Sequence, residues 1–238
     1  MFPALLYIGI LILIHLFAYK LESLPIAKSK WLSFGGGVSV SFVFLHLLPR
    51  LHDWQIKISS ENLIPGAIRR EYLWILILSG VLAFYALEKA IYWYKEKQEP
   101  EQQAVSDGLY FWHLGVFSLY NMLFGYLYIQ NDNMTELLKP LIFVAIAFHF
   151  ITNDYALQQH HEEDYLRSGR WVMAGAVVVG AVIGYFYKMP EAYLASVFAF
   201  LGGGIIINIL KEEMHEGKEN HLGSFLIGAV LFSIVLML

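Results

Sequence analysis

The chain has 238 residues, 58% of them hydrophobic and only 15% charged, with a mean hydropathy of +0.53 and a formal net charge of −4. A soluble domain of this length needs a more polar surface, so the composition excludes one and points to an integral membrane protein. No basic stripe marks a nucleic-acid partner, and the absence of cysteine excludes disulfides and thiolate metal sites.

A bilayer crossing takes about 20 mostly apolar residues. Eight stretches qualify, at roughly 2–19, 31–49, 72–94, 108–130, 137–158, 170–188, 191–211 and 221–238. The first, Phe2 to Tyr19, lacks a basic leader and a small-residue cleavage site, so it reads as a retained helix rather than a signal peptide. Connections are short apart from 50–71 and the Lys/Glu/Gln stretch 95–107, and none holds a soluble domain. Residues 1–238 therefore read as a single all-α transmembrane domain.

With the N-terminus outside, the cytoplasmic loops carry Lys20, Lys28, Lys30, Lys95, Lys97, Arg167, Arg170, Lys211 and Lys218. The outer loops carry Arg50, Lys57, Arg69, Arg70, Lys139 and Lys188. The excess inside favours both termini extracytoplasmic, and the expected place is the plasma (inner) membrane, crossed many times. Asn133-Met134-Thr135 is a glycosylation tripeptide in an outer loop, of consequence only in a host that glycosylates.

In the first segment His15 stands alone on an apolar helix, and burial makes it a hydrogen-bond partner for a neighbouring helix rather than a ligand. The second opens with Gly35-Gly36-Gly37, Ser39 and Ser41, small residues that let helices approach closely in lipid. It ends Phe44-Leu45-His46-Leu47-Leu48-Pro49, followed by Arg50-Leu51-His52-Asp53-Trp54. His52 and Asp53 fall at the outer mouth, as candidates to attract a cation or as a solvated helix end. In the third segment Glu88 and Lys89 lie near the cytoplasmic end, where Lys can snorkel, and Tyr92-Trp93-Tyr94 forms an interfacial aromatic belt.

The fourth segment reads Tyr120-Asn121-Met122-Leu123-Phe124-Gly125, with the Asn121 amide near mid-membrane as helix-to-helix glue or as a ligand. The fifth carries the most unusual stretch of the chain, Ala147-Phe148-His149-Phe150-Ile151-Thr152-Asn153-Asp154-Tyr155. An ionisable group at that depth is expensive and faces a bundle interior, a cavity or an ion. His149 and Asn153 share a face at i, i+4. Asp154 stands about 140° round the helix from His149, so it meets His149 only through a local distortion and otherwise serves a neighbouring helix.

Gln158-Gln159-His160-His161-Glu162-Glu163-Asp164 follows at the cytoplasmic end. The sixth segment, Gly/Ala/Val-rich from Ala174 to Gly184, reads as a close-packing helix with no ligand to offer. The seventh holds Gly202-Gly203-Gly204 and leaves through Lys211-Glu212-Glu213-Met214-His215-Glu216. His160, His161, Glu212, Glu213 and His215 are thus candidate cytosolic-side cation ligands, with solvated acidic loops as the commoner explanation. The eighth segment is plain apolar packing. No nucleotide loop, Gly-x-Ser-x-Gly, His-Glu-x-x-His or Cys-x-x-Cys-His is present, so nothing marks an enzyme or a haem protein.

These stretches, in order, resemble the ZIP (Zrt/Irt-like) family of divalent-metal transporters. Phe44-Leu45-His46-Leu47-Leu48-Pro49 is similar to that family's second-helix ending, Ala86-Leu87-Glu88-Lys89 to a third-helix Leu-Leu-Glu-Lys, and Leu166-Arg167-Ser168-Gly169 to the Leu-(Lys/Arg)-Ser-Gly ahead of its sixth helix. The resemblance implies an eight-helix bundle, a two-metal transport site and a homodimer. The metal motifs have changed, however. Where the family has His-Asn-x-x-Asp-Gly, this chain has Tyr120-Asn121-Met122-Leu123-Phe124-Gly125. Where it has His-Glu-x-Pro-His-Glu, this chain has His149-Phe150-Ile151-Thr152-Asn153-Asp154. The family's His-rich third loop is also missing.

What remains is one reduced site from Asn121, His149, Asn153 and Asp154, suited to Zn²⁺ first and to Fe²⁺ or Mn²⁺ next, with the ion as cargo and no tightly bound cofactor. One carboxylate compensates only half of a dication's charge in low dielectric. The leading expectation is an inward divalent-cation transporter working by alternating access. Its rival is a transport-inactive scaffold, sensor or regulatory subunit, with Phe124 and Phe150 plugging the former path and His149 and Asp154 bonded to each other or to Tyr120. A third expectation is proton or small-solute movement through His149.

Overall fold

The computed structural model describes residues 2–23, 28–60, 64, 66–96, 103–130, 138–160, 162–214 and 221–237. Among these the chain is helical, with no strand. In order come α1 (Phe2–Phe17) with a 3-10 turn (Ala18–Ser23), α2 (Lys28–Phe42), α3 (Leu48–Ser60), α4 (Tyr72–Glu96), α5 (Gln103–Gln130), α6 (Leu138–His160), the short α7 (Glu162–Asp164), α8 (Arg170–Phe186), α9 (Glu191–Met214) and α10 (Leu222–Met237).

Five helical stretches are long and apolar enough to cross a bilayer, namely Pro3–Lys20, Ser29–Ser60, Tyr72–Ala90, Glu162–Phe186 and Glu191–Leu210, and α10 is a shorter apolar helix. This is an integral membrane protein. Large apolar side chains such as Leu78, Leu82, Val179, Val182, Ile227 and Leu231 point outward, as a lipid-facing surface requires.

Two wide π-helical turns interrupt the helices, at Val43–Leu47 between α2 and α3 and at Tyr165–Gly169 ahead of α8. The first has a local cause. Pro49 carries no N–H and its ring crowds the preceding turn. The backbone relaxes by one residue, so that the Leu48 N–H reaches the Val43 carbonyl. Phe44-Leu45-His46-Leu47 of the first motif and the whole of Leu166-Arg167-Ser168-Gly169 fall on these turns.

The helix also continues where a connection was expected. The stretch after Pro49 stays helical to Ser60, and the charged stretch 95–107 gives way to α5 at Gln103. In α3 a strip of Leu51, Gln55 and Ile58, at i, i+4 and i+7, is buried, so an amphipathic pattern hidden from mean hydropathy holds it in place. Gln55 ties this extension to α4. Its Oε1 accepts from the Leu73 N–H at 2.7 Å, and its Nε2 donates to the Arg69 carbonyl at 2.7 Å and to Ser59 Oγ at 2.9 Å. Leu73 sits in the first turn of α4, where backbone N–H groups lack partners within the helix.

Three helix pairs pack closely enough to exclude a Cβ: α5 with α8, α2 with α10 and α4 with α9. A methyl on Gly180 would overlap the Met122 carbonyl, one on Gly37 the Phe225 carbonyl, and one on Gly203 the Ile77 carbonyl. With no hydrophobic drive between helices in lipid, such close backbone contact supplies the association energy. The close-packing expected of the sixth segment is thus met by α8. α6 lies at the centre, touching α1, α2, α5 and α10.

Candidate functional site at helix α6

α6 runs as an unbroken α-helix through the polar stretch. At the position where the resemblance has proline, the Thr152 hydroxyl donates back to the Phe148 carbonyl at 2.9 Å, a bond that fits inside a helix. His149 and Asp154 therefore keep their separation around the axis, and the structure does not bring them together.

Each has a different partner. Asn153 Nδ2 donates to His149 Nε2 at 3.1 Å, as the i, i+4 spacing predicts. Asp154, fully buried, accepts from His15 Nδ1 of α1, with its two oxygens at 2.9 and 2.8 Å. His15 Nε2 is buried without a hydrogen-bond partner among the described residues, and the His15 ring lies 4.7 Å from that of Phe150. The expectation that His149 and Asp154 bond each other or Tyr120 is corrected on both counts. The Tyr120 hydroxyl donates to the Leu201 carbonyl of α9, and its ring meets His149 only edge-on at 5.9 Å.

Asn121 works as glue between α5 and α8, with Nδ2 donating to Met173 Sδ at 3.2 Å and Oδ1 buried without a partner among the described residues. Phe124 and Phe150 are both buried and meet edge-to-face, with centroids 5.7 Å apart. Beside them a void of about 10 Å³ is lined by Ser39, Phe42, Phe124, Ala145, Ile146, His149 and Ile205, space for about one water.

His52 and Asp53 are exposed on α3, with the His52 ring 6.3 Å from that of Trp74. His161 and His215 lie outside the described residues, as do the side chains of His160, Glu212 and Glu213 and the tripeptide Asn133-Met134-Thr135. Among the described residues no three His, Asp or Glu side chains converge as a metal site would require.

Sequence reasoning missed several members of this polar core. The Tyr165 hydroxyl, from the π turn, reaches the His15 carbonyl at 3.4 Å, and Arg170 Nη1 reaches the Leu16 carbonyl at 3.5 Å. His113 Nε2 of α5 faces Glu88 Oε1 of α4 at 3.6 Å. The partners are far apart in the chain, so no local pattern pairs them; the one available signal was the cost of burying each polar group alone. In comparisons with known proteins, no family model, no characterised sequence and no solved structure matches the chain.

Proposed function

We propose that this chain is a ZIP-like membrane protein of eight crossings, with both termini outside the plasma (inner) membrane, that no longer transports metal and serves as a scaffold, sensor or regulatory partner. The observation that carries this reading is the packing of Phe124 on Phe150, at 5.7 Å, at positions where the resemblance places carboxylates. The remaining polar groups support it. Asp154 is engaged by His15, Asn153 by His149 and Asn121 by Met173. An ion entering here would have to break those bonds and would find one carboxylate to offset its charge. A homodimer follows from the resemblance alone.

A second reading keeps the reduced zinc transporter. It is favoured by the void beside His149, which lies between α2, α5, α6 and α9, where one helix group would rock against another. Binding and uptake of Zn²⁺, Fe²⁺ and Mn²⁺ by the purified protein in liposomes, with and without His149→Ala and Asp154→Ala, decides between them. The scaffold reading expects no His149-dependent binding and no uptake above protein-free liposomes. Uptake abolished by either substitution would overturn it.

A further inference from the structure

At the end of the bundle that the Lys and Arg count assigns to the cytoplasm, the close of α1 and the start of α8 bring two cations onto one aromatic ring. The Arg170 guanidinium lies 5.2 Å from the Tyr19 centroid and 5.4 Å from that of Trp171. Lys20 Nζ lies 5.8 Å from the same Tyr19 ring and 5.2 Å from that of Phe17. Stacking on aromatic faces stabilises each cation, but two like charges around one ring repel.

Arg170 has donor capacity left over. Among the described residues it makes one long bond, Nη1 to the Leu16 carbonyl at 3.5 Å, while its Nε is buried with no hydrogen-bond partner. A charged donor left in that state is costly. Among the described residues no carboxylate lies within 4.0 Å of it to form an ion pair, and Asp154, one layer deeper, is taken by His15. Glu162, Glu163 and Asp164 are exposed on the chain just before the π turn. Capping Leu16 explains one N–H of the guanidinium; it leaves Nε unexplained.

The surroundings favour a lipid over a free ion. Phe17 and Trp171 are 47% and 56% exposed, the placement of interfacial anchors at headgroup depth. Leu13 of α1 and Val172 of α8 are also exposed, and the two helices pack side by side. A headgroup phosphate held at Arg170 and Lys20 would have its acyl chains lying along that apolar seam. Basic sites between helices on the cytoplasmic side take anionic headgroups in this way.

We propose that Arg170 and Lys20, framed by Tyr19, Trp171 and Phe17, form a binding site for the phosphate of an anionic phospholipid. The test is native mass spectrometry of the full-length protein with phosphatidylglycerol or phosphatidylcholine. Wild type should retain phosphatidylglycerol in preference. Lys20→Gln and Arg170→Gln should each weaken retention about fivefold, while Arg167→Gln, an exposed charge at the same end, should not. Lys20 is exposed, so Lys20→Gln carries the test even where Arg170→Gln fails to fold. Equal retention of both lipids, no loss on Lys20→Gln, or equal loss on Arg167→Gln would overturn the assignment. So would displacement of the lipid by millimolar inorganic phosphate, which would mean a site for any phosphate.

Discussion

Replacing His15 by leucine should be among the most damaging single changes in the protein, and its size reveals the state of the buried pair. Nδ1 lies 2.8 and 2.9 Å from the two Asp154 oxygens, and both side chains are 0% exposed. At that distance an ionised pair attracts by about 6 kcal/mol gross at an effective dielectric near 20, most of it offset by desolvation. Removing one partner leaves the other buried and uncompensated, at about 3–5 kcal/mol. A neutral interhelical hydrogen bond in a membrane protein is worth only about 0.6 kcal/mol. Leucine fills similar space against Phe150, so the packing loss is the smaller part. The assay is a double-mutant cycle of His15→Leu, Asp154→Leu and the double variant, read as unfolding in a detergent titration by tryptophan fluorescence. Each single should cost about 3–5 kcal/mol, and the double should return close to wild type, because an apolar pair replaces an ionic one at little or no cost. A single that costs under about 1 kcal/mol, or a double that costs the sum of the singles, would refute an ionic pair at this position.

Glycine substitutions should split by sign in the same assay. Gly180→Ala, Gly37→Ala and Gly203→Ala press a methyl into the backbone of the facing helix and should each cost about 1–3 kcal/mol. Gly9→Ala and Gly175→Ala, with open space at the Cβ position, should instead stabilise by about 0.5–1 kcal/mol. Tyr120→Phe removes the bond to the Leu201 carbonyl inside the core and should cost about 1–3 kcal/mol; no measurable loss would mean that the bond adds nothing to stability. Phe124→Asp combined with Phe150→Glu should destabilise strongly alone and recover in part on adding Zn²⁺, dependent on His149. Absence of zinc recovery would remove these two positions from the metal path.

Composition and apolar run length were sufficient for an all-helical membrane chain, because every backbone group in lipid must be satisfied within its own helix. The observed helices follow the apolar stretches closely, from Phe2–Phe17 to Leu222–Met237. Spacing along one helix was equally legible. The His149–Asn153 contact follows from a local repeat, and so does the angular separation of Asp154 from His149. Burial cost alone identified His15 as a group in need of a neighbouring helix.

The identity of that neighbour came only from the fold. His15 and Asp154 are 139 residues apart, and no periodicity links positions on separate helices. The α3 extension escaped because Arg50, His52 and Asp53 lower the mean hydropathy, while its buried strip of Leu51, Gln55 and Ile58 needed the face of α9 to give it meaning. The same holds at the centre of the bundle. The residue types at 120–125 and 149–154 follow from the sequence, but whether they enclose an open path or a packed one depends on which side chains face each other across α5 and α6. Tertiary packing placed Phe124 against Phe150 and gave Asp154 to α1, because a buried carboxylate takes the partner whose helix can reach it.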